Sequence, residues 1–231
     1  DGKAAIVEVN SETDFVAKNE KFQTFVSNVA NQILDSDAAD MDAFMAEPWA
    51  LDTTKTVKDE LVSQIAVIGE NMNIRRFEKV TTDGLVVSYI HAGGKIGVLV
   101  VADTDSDSDA VKECLKNVAM QIAALNPKYV SSDDVDADYK EHEKQVLLAQ
   151  AKNDPKNASK PENIIEKMIT GRLAKEFKEV CLLEQEYVKA ENKENVAKYV
   201  KSVGDITIKQ FVRFETGEGL EKREDDFAAE V

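Results

Sequence analysis

A chain of 231 residues, 43% hydrophobic and 32% charged, can form one large domain or two small ones with working cores, and is too apolar to be disordered. Its formal net charge of -15 argues against nucleic acid as the main partner, because phosphate contacts need clustered Lys and Arg. The same charge disfavours an anionic membrane surface.

Two cysteines and two histidines are too few for a disulfide framework or a zinc site. Cys114 and Cys181 lie far apart among apolar neighbours in helical segments and read as reduced cytosolic thiols. No apolar stretch approaches the ~20 residues of a membrane span, and no signal peptide is visible. The chain opens at Asp1 without methionine and stops at Val231 without an obvious terminus, which is expected of a fragment.

In chain order, Asp1-Gly2-Lys3 reads as a hairpin turn feeding a strand from Ala4 to Val9, with the outer strand expected before Asp1. The run Glu8-Val9-Asn10-Ser11-Glu12-Thr13-Asp14-Phe15-Val16-Ala17-Lys18 then turns from strand to helix. One of Asn10, Ser11, Thr13 and Asp14 is expected to cap that helix. At ~100° per residue, Phe15 shares a helical face with Phe22, Val26, Val29 and Ile33, so periodicity favours a core aromatic. The competing reading is a ring that projects into a partner. Gly69, after Val62, Ile65, Ala66 and Ile68, is expected to end a helix in the left-handed conformation. Arg75 and Arg76 begin a strand and are expected to be solvated or paired with acids.

The pattern then repeats. Gly93-Gly94-Lys95 and a strand from Ile96 to Val101 mirror the opening, with the outer hairpin strand, Leu85 to His91, introduced by Asp83-Gly84. Asn117-Val118-Ala119-Met120-Gln121-Ile122 matches Asn28-Val29-Ala30-Asn31-Gln32-Ile33, and Gly204 is expected to be the twin of Gly69. Where the first copy has Thr13-Asp14-Phe15, the second has Thr104-Asp105-Ser106. A ring kept by one copy only argues for a contact made by that copy.

The expected fold is α+β: two related subdomains, each a small antiparallel sheet with helices on one face, plus an inserted antiparallel helical hairpin. The boundaries expected are 1–83 for the first subdomain, 84–131 with 187–224 for the second, and 132–186 for the hairpin. Its stripes are Tyr139, His142, Val146, Leu147 and Gln150, and Ile164, Ile165, Met168, Leu173, Phe177 and Val180, with Pro161 suited to a helix start. His142 reads as a seam or helix-surface residue. Residues 225–231 begin a C-terminal helix with acids at its N-terminal end.

The sequence carries no Walker motif, dinucleotide fingerprint, metal-ligand cluster or nucleophile elbow, so neither an enzyme nor a cofactor or metal is expected. Four dispersed runs point elsewhere. These are Glu8 to Lys18, Ile68-Gly69-Glu70-Asn71-Met72-Asn73-Ile74-Arg75-Arg76, Asn117 to Ala124, and Phe211 to Glu215 with Gly217 to Lys222. In this order they resemble the elongation factor Ts family, the guanine-nucleotide exchange factors for elongation factor Tu in translation. The likeness spans essentially the whole chain, without the family's N-terminal helical module.

The resemblance implies elongation factor Tu as partner, with Asp14, Phe15, Ile68, Gly69, His91 and Phe227 at the contact. It implies that Phe15 wedges into the partner's nucleotide domain near the magnesium site, so that GDP leaves faster. It also implies a bacterial cytoplasmic protein, with an organelle matrix left open, and a hairpin used for homodimerisation. From the residues alone, His91 reads equally well as a turn residue. The competing function is a structural or scaffolding dimer with no effect on nucleotides.

Overall fold

The computed structural model describes residues 2–157 and 159–220, and the chain forms two units of α+β type built on small antiparallel sheets. The N-terminal unit comprises residues 3–80 together with 90–97 and 214–220. It runs β1 (Lys3–Ser11), α1 (Asp14–Ala17), α2 (Glu20–Asp35), α3 (Met41–Ala46), β2 (Pro48–Trp49), β3 (Asp52–Thr56), α4 (Val57–Ile68) and β4 (Met72–Thr81). β1 pairs with β4, and β2 with β3.

Alternation along β1 sends its two faces to different tasks. Ala5, Val7 and Val9 join the helix-covered core with Phe22, Phe25, Val29, Ile33, Phe44, Trp49, Leu61 and Ile74. On the opposite face Ile6 lies so close to Gly97 that a Cβ there would come within 2.9 Å of its Cδ1. Glu8, also on that face, is 2% exposed and anchors the charged network described below.

One expectation is overturned here. Periodicity put Phe15 on the buried face of a long helix, but that helix is broken at Asn19. Asn19 adopts an extended conformation (φ -72°, ψ 132°), and its side chain accepts the Lys21 N–H at 2.9 Å to start α2 afresh. The face of Phe22, Phe25, Val29 and Ile33 therefore begins after the break, and Phe15 sits on a separate four-residue turn, 88% exposed. Thr13 is the cap of that turn, accepting the Val16 N–H at 3.3 Å.

The C-terminal unit comprises, of the described residues, Gly2 with 81–89 and 98–213. Its helices are α5 (Asp109–Leu125), α6 (Ala137–Asn153), α7 (Glu162–Val180) and α8 (Val196–Val203). β5 (Leu85–His91), β6 (Ile96–Asp103) and β7 (Thr207–Glu215) form a sheet in the order β5-β6-β7. α6 and α7 make the inserted hairpin, with Ala151, Ile165 and Ile169 buried between them and Leu147, Leu148 and Leu173 partly covered. Tyr139, Ile164 and Met168, from the two stripes, remain 36–40% exposed.

The duplication extends further than the shared motifs. In α2, the Gln32 amide donates to the Pro48 carbonyl at 3.0 Å and accepts the Ala50 N–H at 2.9 Å. In α5, Gln121 donates to the Glu186 carbonyl and accepts the Val188 N–H, both at 3.0 Å. Pro48 pairs with Thr56, the cap of α4, as Glu186 pairs with Asn195, the cap of α8. A buried glutamine thus grips the same two-residue backbone span in both halves, satisfying its amide at both ends.

The glycine twins do not match. Gly69 is left-handed (φ 84°, ψ 12°) and closes α4 with its N–H on the Ile65 carbonyl at 2.8 Å. Gly204 is extended (φ 168°, ψ -169°), a backbone any residue adopts, because α8 runs into β7 without the left-handed reversal.

Candidate partner-binding surface

The surface is built around the corner at Thr13. Its side chain has a second bond besides the cap: the hydroxyl donates to Glu70 Oε1 at 2.6 Å while the backbone N–H donates to Glu70 Oε2 at 3.1 Å. Val16 faces inward at 8% exposure, so the two neighbours divide, one apolar residue anchoring the turn and the other standing out. Phe15 is the most exposed large apolar side chain among the described residues. An isolated phenyl ring in water loses the ~1.5–3 kcal/mol that burial would provide, so it is a strong candidate for burial elsewhere.

Of the other expected site residues, Asp14, Ile68 and Gly69 are brought to this corner. Gly69, exposed, and Ile68, half-buried, end α4 beside Glu70, and are brought to Thr13 by the Glu70 bonds. Asp14 pairs with Lys95 at 3.5 Å, both side chains being largely exposed, which links the corner to the turn after β5. His91 is exposed at the end of β5, next to Ile90 at 64% exposure. Phe227 lies outside the described residues.

Glu70 and Lys95 were not singled out from sequence. Their signal is adjacency: one follows the capping glycine, the other ends the Gly93-Gly94-Lys95 turn. In the second copy the corner is different. The Thr104 hydroxyl accepts the Ser106 N–H at 3.3 Å, and α5 is capped by Ser108, so no helical turn equivalent to α1 forms.

A charged network joins β1 to β4. Both Glu8 oxygens accept from Arg75 Nη1 at 3.0 Å, Oε2 also accepts Arg76 Nε at 2.5 Å, and Oε1 accepts the Gly217 N–H at 2.8 Å. Arg76 continues to the Glu215 carbonyl and to Glu218, each at 3.2 Å, and stacks 4.2 Å over the Phe214 ring. Burial alone would raise the Glu8 pKa. The Gly217 N–H and the two guanidinium groups outweigh it and hold the carboxylate below its ordinary range.

Little here resembles reaction chemistry. Burial pushes the Cys181 thiol up to about 11 and raises that of Cys114, which makes both poor nucleophiles at neutral pH. Among the described residues no His, Cys, Asp and Glu group is arranged to hold a metal, and no helix is long and apolar enough to cross a membrane. A groove of about 760 Å³ in the C-terminal unit is lined by Lys175, Lys178, Lys193 and Lys198 alternating with Glu179, Glu184, Glu186 and Glu194, a mixture that favours neither sign of ligand.

Comparison with known proteins bears on the family. The family model for elongation factor TS matches residues 12–218. The chain is 52% identical over 232 residues to elongation factor Ts of Clostridioides difficile (strain 630), covering 99% of this chain and 75% of that protein. It is 51% identical over 236 residues to elongation factor Ts of Trichlorobacter lovleyi, covering 98% and 74%. With its dispersed motifs, its duplicated α+β units and these relatives in agreement, the chain belongs to the elongation factor Ts family of translation elongation factors.

Proposed function

We propose that this chain binds elongation factor Tu and promotes GDP release and exchange for GTP, with Phe15 entering the partner's nucleotide domain near the magnesium site. The observation that carries this reading is the exposure of Phe15, 88%, on a turn capped and tied down at Thr13. Asp14, Ile68, Gly69, His91 and Phe227 add contact area in the same interface. A rigid support matters because a wedge that swivels spends its contact energy on being ordered.

Exchange then follows from linkage. A factor that prefers nucleotide-free partner weakens nucleotide binding by the same ratio that nucleotide weakens the factor. A thousandfold effect needs about 4 kcal/mol of coupling, which one well-packed aromatic and its surroundings can supply. No bond is made or broken in this scheme, so the protein acts as a non-enzymatic exchange factor without cofactor or metal of its own. A bacterial cytoplasmic location is part of the same reading.

A second reading, a scaffolding dimer indifferent to nucleotides, is favoured by the exposed Tyr139, Ile164 and Met168 of the α6–α7 hairpin. Homodimerisation there is compatible with exchange activity. Capture of elongation factor Tu by immobilised chain, with and without excess GDP, separates the two functions. Exchange activity predicts capture that GDP antagonises; capture indifferent to GDP, or none, supports the scaffold.

A further inference from the structure

We propose that Glu70 is a positioning residue for Phe15, an assignment that rests on the exchange reading above. The Glu70 carboxylate receives both donors of Thr13, the hydroxyl at 2.6 Å and the backbone N–H at 3.1 Å. The Thr13 hydroxyl passes its proton direction to Glu70 and keeps a lone pair for the Val16 N–H at 3.3 Å, so latch and cap use the same oxygen without conflict. Both oxygens of an ionised carboxylate acting on one residue fix its orientation as well as its position.

The need for a latch follows from the size of α1. Four residues close very few helical hydrogen bonds, and a turn that short is not stable alone. Its only buried side chain is Val16. Without Glu70 the turn would be held by Val16 and the partly buried Ala17, by single hydrogen bonds from the Ser11 hydroxyl to the Thr13 carbonyl and from the Gln23 amide to the Ala17 carbonyl, each at 3.2 Å, and by the exposed Asp14–Lys95 pair at 3.5 Å; only Glu70 engages both donors of Thr13. Exposed pairs contribute little. Glu70 itself is fixed, since it follows the left-handed Gly69 that closes α4, and it thereby carries the rigidity of a twelve-residue helix to the corner.

A positioning role predicts that Glu70 acts only through the ring. The test is a double-mutant cycle on GDP release from elongation factor Tu at sub-saturating factor, with melting temperatures as a check on folding. Glu70→Ala slows stimulated release about fivefold in the chain that keeps Phe15, because the competent orientation becomes a minority population. Glu70→Gln, which retains one acceptor oxygen, slows it less and also serves as the test should the alanine variant fold poorly. In the Phe15→Ala background either substitution changes the rate less than about twofold, the signature of coupled residues.

Equal effects in both backgrounds would overturn the assignment and make Glu70 an independent contact. A slow Phe15→Ala chain alongside Glu70 variants at the wild-type rate would overturn the latch and leave the exchange reading standing. Phe15→Ala at the wild-type rate would overturn both.

Discussion

At Thr13-Asp14-Phe15-Val16, four consecutive residues have four different tasks: cap, surface charge, projecting ring and anchor. Because Phe15 is 88% exposed, Phe15→Ala should leave the thermal unfolding midpoint almost unchanged, within the ~0.5 kcal/mol typical of surface substitutions. A large loss of stability would mean that the ring is buried in its own subunit. Glu8 is the opposite case, a charge that the fold depends on. Its folded pKa is depressed, so its stabilisation is complete above the ordinary value of 4.5 and is lost as pH falls through the lowered folded value. Glu8→Gln should cost about 3 kcal/mol near pH 7, since Arg75 loses the carboxylate it bonds and Arg76 is left with that of Glu218, and the difference should shrink as pH falls below the ordinary value of 4.5. Urea unfolding midpoints across that range check it, and a pH-independent difference would contradict the assigned role. The sequence placed Arg75 and Arg76 on a strand but could not supply their partner, because Glu8 is 67 positions away from Arg75 and is reached only through β1–β4 pairing.

Among the elements, legibility followed the strength of the local signal. Gly69 was readable because a left-handed residue after an apolar helix almost demands glycine, whereas Gly204 looked alike and is extended. The α1–α2 break was not readable from periodicity, since the stripe continues through Asn19 as if the helix did. There the side-chain cap prevailed over the apolar period. The segment of α3, β2 and β3 was likewise illegible, being short and fixed by tertiary contacts such as the Phe25–Trp49 ring pair at 6.0 Å. The α6–α7 hairpin was legible as helices, but its seam is displaced from the expected stripes, taking in Ala151, Leu148 and Ile169, which neither stripe held, and leaving Tyr139, Ile164 and Met168 exposed. Ile169, 1% exposed, is central to that seam, and Ile169→Ala should cost about 2–4 kcal/mol locally. Hydrogen exchange should then show lost protection across α6 and α7 with α2 and α4 unaffected. Loss of protection throughout would mean that the hairpin folds as one with the remaining structure.

For the whole molecule, duplication explains both the fold and the asymmetry of its surface. The paired glutamines Gln32 and Gln121, each bridging a carbonyl and an N–H two residues on, preserve a common architecture in the two halves. Among the described residues the first half adds a separate capped turn with an exposed ring, so both copies hold the shared scaffold and the first also projects Phe15 outward. The sequence disclosed that difference at Phe15 and Ser106, but not the latch at Glu70, which depends on how α4 ends in space. The most direct measurement is the rate at which labelled GDP leaves elongation factor Tu as this chain, or its Phe15→Ala variant, is added in increasing amounts. The account predicts a concentration-dependent acceleration by the native chain and at least about tenfold less by the variant, as for an interface hot spot. No acceleration by the native chain, or equal acceleration by both, would contradict it.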